Sequence, residues 1–143
     1  MKEVVAQLEF EPREWQKRCI EIQKRFTVLA VHRRAGKTTF AVYELVNKAI
    51  DTVGLYAYIA PELKQARIIA WDSMKEMIKP FLKIAIGNGK YASAVDVHET
   101  EPYLQFSNGS KIMLFGADKP DRARGVKLAG CVIDEVAQMP REM

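Results

Sequence analysis

Residues 31–39 read VHRRAGKTT. The stretch closes as a phosphate-binding loop does, with Gly36, Lys37 and Thr38 in consecutive positions. It opens with Val31, where the pattern G-x-x-x-x-G-K-[ST] has its first glycine. Upstream, FTVLAV (26–31) is short, apolar and β-branched, as expected of a strand buried on both faces. Downstream, FAVYELVNKAI (40–50) lacks Gly and Pro and has the length of a helix. Strand, loop and helix in that order bring several backbone N–H groups and the positive end of a helix to one point, which suits a polyphosphate. Gly36 would then let the backbone approach the phosphates, with Ala35 and Thr39 completing the loop around them. Lys37 would reach the outer phosphates and Thr38 would place its hydroxyl on Mg²⁺. An ordinary basic helix start could also read GKTT, so the second half of the site decides.

That half is LAGCVIDEVAQMP (128–140), an apolar run ending in two acids. Paired carboxylates at a strand end are costly unless used. In P-loop NTPases the first acid holds Mg²⁺, which assigns Asp134. The adjacent Glu135 is placed to polarise an attacking water as a general base. The pair of motifs predicts ATP hydrolysis. The second acid also narrows the class, because small-molecule P-loop kinases generally lack it, whereas motors and helicases carry it. Upstream, FEPREWQ (10–16) resembles the Q motif of helicases, in which a glutamine reads the adenine edge. The Gln16 amide can donate and accept at once, although an exposed helix residue would look the same.

Around these motifs the chain reads as one continuous α/β domain over residues 1–143. Trp15, Cys19, Ile22 and Phe26 lie at helical spacing after Pro12. LYAYIA (55–60) is a second buried strand, and Pro61 suits the first turn of a helix that runs to Pro80. That helix buries Leu63, Ala66, Ala70, Met74 and Met77. IGNGKYAS (86–93) is a turn-rich connection, and YLQFSNGSKIMLFG (103–116) is a hairpin about Asn108-Gly109. Strands alternating with helices predict a P-loop NTPase core: a mostly parallel sheet flanked by helices, with one β-hairpin excursion, incomplete at the C-terminus.

Composition agrees with a globular fold, at 48% hydrophobic and 28% charged residues. A net charge of +4 permits a polyanionic partner without demanding one. Cys19 and Cys131 lie far apart and are expected to be reduced core residues; with His32 and His98 isolated, no zinc site can be read. The N-terminus is too charged for a signal peptide, and no apolar run approaches the roughly 18 residues of a spanning helix. A cytoplasmic protein without membrane contact is expected.

Together, Trp15-Gln16, the loop from His32 to Thr39, YIAPELKQA (58–66), and the segments NGS (108–110), Arg124-Gly125 and IDEVAQMP (133–140) resemble the N-terminal ATPase domain of a large terminase subunit, the DNA-packaging motor of tailed bacteriophages. The resemblance runs from Pro12 to Pro140. It implies that ATP with Mg²⁺ is bound by Trp15, Gln16 and the loop Arg33, Arg34, Ala35, Gly36, Lys37, Thr38 and Thr39, with Thr38 and Asp134 at the metal. Arg33 stands where the family carries an arginine at the γ phosphate, and a guanidinium offers a planar fork to phosphate oxygens. Arg34 matches no fixed family residue and is open to a solvated or DNA-facing role. Arg124 is similar in position to an arginine that reaches a neighbouring subunit's ATP; otherwise it is a surface charge on a loop. Lys64 and Gln65 are candidate DNA contacts.

The implied partners are double-stranded DNA, a portal protein, a small terminase subunit and further copies of the chain in a ring. The family continues past the second acid into a coupling motif and a nuclease domain, whereas this chain stops three residues after Pro140, so it is expected to be a fragment. A superfamily 2 helicase fragment is the alternative enzyme, since DEVA (134–137) resembles its DE-x-D/H box. A nucleotide-binding module without turnover is the alternative outside enzymes.

Overall fold

The structure, a computed structural model, describes residues 7–139. Its centre is β1 (Leu55–Ala60), buried at every position from Tyr56 onward. The reason lies in the pairing. β1 runs parallel to β6 (Lys111–Gly116) on one edge and to β7 (Gly130–Ile133) on the other, so it has a ladder on both sides and packed side chains on both faces. The registers Ala60↔Gly116 and Ile59↔Ile133 align the C-terminal ends of all three strands. β5 (Tyr103–Phe106) and β4 (Val95–His98) extend the sheet antiparallel, giving the order β4-β5-β6-β1-β7. Four of the five strands therefore run one way and only β5 is reversed, as expected of a mostly parallel sheet with a hairpin excursion.

α1 (Glu14–Ile22) precedes α2 (Lys37–Asp51), whose Val42, Leu45, Val46 and Ala49 recur at helical spacing and join the core beside Tyr58, Met74, Leu104 and Ile112. The far end of α2 is tied to the hairpin. Asn108 donates through Nδ2 to Ala49 O at 2.9 Å, and its Oδ1 accepts from Ser110 N at 2.9 Å. Gly109, at φ 97°, makes the turn. The buried Ser110 hydroxyl donates to Thr52 O at 3.3 Å and accepts from Gly54 N at 3.2 Å.

The crossover from β1 to β6 departs from a single helix. α3 (Leu63–Ala66) passes through a π-helical turn (Arg67–Trp71) into α4 (Asp72–Met77), and after Ile78 a short α5 (Lys79–Leu82) begins with Pro80 in its first turn. The wide turn brings Trp71 inward, where its indole donates to Glu99 Oε2 at 2.7 Å, while Arg67 donates to the Glu99 and Thr100 carbonyls. Trp71 and then Lys75 hold the Glu99 carboxyl below the usual range. The turn-rich connection forms an exposed two-stranded ribbon, β2 (Ile84–Gly87) and β3 (Lys90–Ala92), with left-handed residues at its tip.

Two expectations are corrected. FTVLAV (26–31) forms no strand: Phe26 is 82% and Val28 94% exposed. β-branched residues favour extended backbone, but a strand exists only where a neighbour completes its ladder, and none does here among the described residues. The cysteines are not core residues, since Cys131 is exposed on the edge strand β7 and Cys19 is half-buried. Pro140, like residues 1–6, lies outside the described residues. Among those described, no helix is long and apolar enough to cross a membrane.

The strand ends are held tightly at Gly116, where a Cβ would collide with the Asp118 carboxylate and with the Leu63 and Glu62 backbone. Gly116→Ala is expected to destabilise the fold by about 2 kcal/mol, as overpacking against backbone does. A lowered denaturant midpoint at unchanged slope would show it.

Candidate functional site

The loop before α2 turns on two left-handed residues, Arg34 at φ 63° and Gly36 at φ 90°. Gly36 is the N-cap of α2, and no side chain caps the helix. The first N–H groups of a fifteen-residue helix are thus left for a ligand, at the end where its dipole is positive. The loop is held from behind by α1 and the residue before it. Arg13 donates to Ala35 O at 2.9 Å and to Arg34 O at 3.4 Å. Trp15 Nε1 donates to Ala35 O at 3.1 Å and Gln16 Nε2 to Gly36 O at 3.0 Å. In a trans peptide the C=O and the following N–H point opposite ways. Capturing the carbonyls of residues 34–36 therefore turns the N–H groups of Ala35, Gly36 and Lys37 away from α1.

Gln16 is not the exposed helix residue that the sequence also allows. It is 2% exposed, and its Oε1 accepts from Arg13 N at 2.8 Å while its Nε2 serves the loop. Those partners fix which end of the amide is which. Its closeness also fixes the residue opposite, since a Cβ at Gly36 would lie 3.2 Å from Gln16 Nε2. Trp15 packs edge-on against Phe40, with ring centroids 5.5 Å apart. Sequence reasoning missed Arg13, although it lies inside the stretch FEPREWQ (10–16), where only Trp15 and Gln16 were singled out.

The acid pair arrives on the other side of the same helix start. β7 ends at Ile133, and the Asp134 N–H still donates to Ile59 O at 2.9 Å, so the Asp134 backbone is anchored to β1. Its Oδ1 accepts from Glu135 N at 2.9 Å, with Glu135 in the left-handed region at φ 53°. Its Oδ2 accepts from the Tyr58 hydroxyl at 2.5 Å. Tyr58 is wholly buried. Burial first, and then Asp134, push its phenol far above the usual tyrosine range, while Thr38, acting on the same hydroxyl from α2, pulls the other way. Tyr58, Asp134 and Glu135 are thus joined by hydrogen bonds, and Tyr58 is the unforeseen member.

The donors fit Mg²⁺. Thr38 and Asp134 offer hard oxygens, the donor type that Mg²⁺ takes.

Other predicted residues stand apart. The Arg33 and Arg34 side chains are exposed beside the loop, and Lys37 opens α2. Arg124 pairs locally with Asp121 at 3.1 Å, both largely exposed. Lys64 is exposed; Gln65 is half-buried, with an Oε1 that has no hydrogen-bond partner among the described residues.

Gln16→Ala strips the partner from the Gly36 carbonyl and the Arg13 N–H. The expected cost is about 1–3 kcal/mol of stability, together with weaker binding of ATP and GTP alike. Parallel melting and nucleotide titrations would check it, because a residue that only reads adenine would change ATP-over-GTP preference and leave stability alone.

Comparison with curated proteins gives no match. Solved structures do. The large terminase ATPase domain of Thermus phage P74-26 is similar with a TM-score of 0.74 and 22% identity, over 93% of this chain and 57% of that one, which supports the fold. The large terminase from another thermophilic bacteriophage is 28% identical with a TM-score of 0.58, over 77% of this chain and 27% of that one. A further structure of that second terminase, in complex with ATP-γ-S, gives 28% identity and a TM-score of 0.56, over 77% of this chain and 25% of that one. The chain thus spans just over half of the P74-26 domain and about a quarter of the second terminase. Residues 28–143 match the family described as terminase large subunit, T4likevirus-type, N-terminal. The chain belongs to that family.

Proposed function

We propose that this chain binds ATP with Mg²⁺ and hydrolyses it to drive double-stranded DNA into a viral procapsid. The main support is that both motif ends are built, the loop before α2 held through its carbonyls and the Asp134 carboxylate after β7 held by the buried Tyr58 hydroxyl. Family membership and the ATP-γ-S complex of the thermophilic phage terminase support the choice of nucleotide.

The N–H groups of Ala35, Gly36 and Lys37 receive phosphate oxygens, with Thr39 in the next turn of the same helix, and the Lys37 ammonium reaches the β and γ phosphates. Thr38 directly, and Asp134 through water, would hold Mg²⁺, which when bound neutralises charge on the β and γ oxygens. Glu135 takes a proton from a water whose oxygen attacks the γ phosphorus in line. The bond from that phosphorus to the bridging oxygen breaks, and ADP leaves with the bridging oxygen. Arg33 adds its guanidinium fork where charge gathers on the γ phosphate.

In the parent assembly Arg124 reaches the nucleotide of an adjacent subunit in a ring. The portal protein and small terminase subunit are the protein partners, and the work is done at the procapsid portal in the host cytoplasm. Arg34, Lys64 and Gln65 face DNA.

One observation favours a second reading, in which this chain alone binds ATP without turnover. Among the described residues the run 26–31 that leads into the loop has no ladder, so there the loop's entrance lacks the support of the sheet.

ATPase rates of the chain and its Glu135→Ala variant decide between the two. A fall of about 10²–10⁴-fold is expected on loss of the general base, whereas equal background rates leave only the binding module. Arg33→Ala is expected to lower turnover by about 10³-fold with little change in nucleotide affinity; unchanged turnover removes Arg33 from the catalytic group.

A further inference from the structure

The second half of the site is held by a residue that belongs to neither motif. Tyr58 lies on β1, between two parallel ladders, so its backbone cannot shift without breaking the sheet. Its ring is fully buried in the core. A phenylalanine would fill the same space, and a buried hydroxyl is unfavourable unless it finds a partner. The partner here is Asp134 Oδ2 at 2.5 Å. Because Glu135 N holds Oδ1 at 2.9 Å, both carboxylate oxygens are fixed, and the plane of the group is set. Each oxygen keeps a further acceptor site.

We propose that Tyr58 is a positioning residue for the metal, its hydroxyl locking the Asp134 carboxylate so that a divalent cation carried by a nucleotide meets a preformed oxygen ligand. This rests on the ATP and Mg²⁺ reading above. Tyr58 touches neither nucleotide nor metal. It acts through Asp134, as partners behind metal ligands do, and loss of such a partner typically weakens metal affinity about 10–100-fold.

Tyr58→Phe keeps the ring and removes the hydroxyl. Binding of a fluorescent ATP analogue to the chain would be titrated with Mg²⁺ and, separately, in excess EDTA. The expected result is a rise of about 10–100-fold in the Mg²⁺ concentration for half-saturation, with the affinity in EDTA unchanged. An unchanged Mg²⁺ half-saturation overturns the proposal, and equal weakening in both conditions does so too, since it marks Tyr58 as structural only. If the unaltered chain shows no Mg²⁺-dependent nucleotide binding, the functional reading itself falls and takes this proposal with it.

Should Tyr58→Phe alone fail to fold, the Asp134→Ala chain is compared with the Tyr58→Phe/Asp134→Ala pair, which leaves no hydroxyl without its partner. Equal Mg²⁺ half-saturation in these two supports action through Asp134; a further weakening in the pair overturns it.

Discussion

Strand β1 has a hydrogen-bonded neighbour on each edge and buried side chains on each face, and the positions that matter are measured from it. Its parallel registers set Ala60 level with Gly116 and Ile59 level with Ile133, so the chain leaves β6 and β7 at the same end of the sheet. Ile59 O extends the ladder by one residue to catch Asp134, and Tyr58 reaches the same carboxylate. α2 lies over β1 with its apolar face inward, which carries its first turn to that end. Slip of one residue in the β1–β7 register would invert every side chain of β7 and take the acid pair out of the site.

The part of the site legible in the sequence was the part written locally. Gly36-Lys37-Thr38 and Asp134-Glu135 carry their chemistry within three residues, and the apolar runs around them show which is a helix start and which a strand end. Asn108-Gly109 announced the hairpin for the same reason. Arg13 and Tyr58 escaped because each is defined by a partner far along the chain, 22 residues away for Arg13 and Ala35 and 76 for Tyr58 and Asp134. Gln16 was singled out as a binding residue, but whether its amide faces a ligand or the loop depends on packing that spacing does not encode.

The errors of secondary structure have the same origin. The run 26–31 has the composition of a buried strand, yet propensity says nothing about whether another strand lies beside it. The π-turn at Arg67–Trp71 leaves the apolar periodicity of Ala66, Ala70 and Met74 intact while changing where the chain turns, so a helix from Pro61 to Pro80 was readable and its internal break was not. Cys131 follows an apolar stretch but sits on the last strand of the sheet, where the alternate face meets solvent.

The capture of three loop carbonyls from the N-terminal side has a thermodynamic counterpart. α1 has nine residues, a length at which a helix is marginal in water without tertiary support. Much of that support is the loop itself, through Trp15 and Gln16. The helix–coil equilibrium of α1 and the order of the loop therefore share one free energy. By reciprocity, a phosphate that fixes the loop tightens α1, and a pull that unwinds α1 weakens the hold on phosphate by the same amount. In a motor of the proposed kind, nine residues ahead of the loop thus form a place where mechanical strain and ligand affinity can be exchanged.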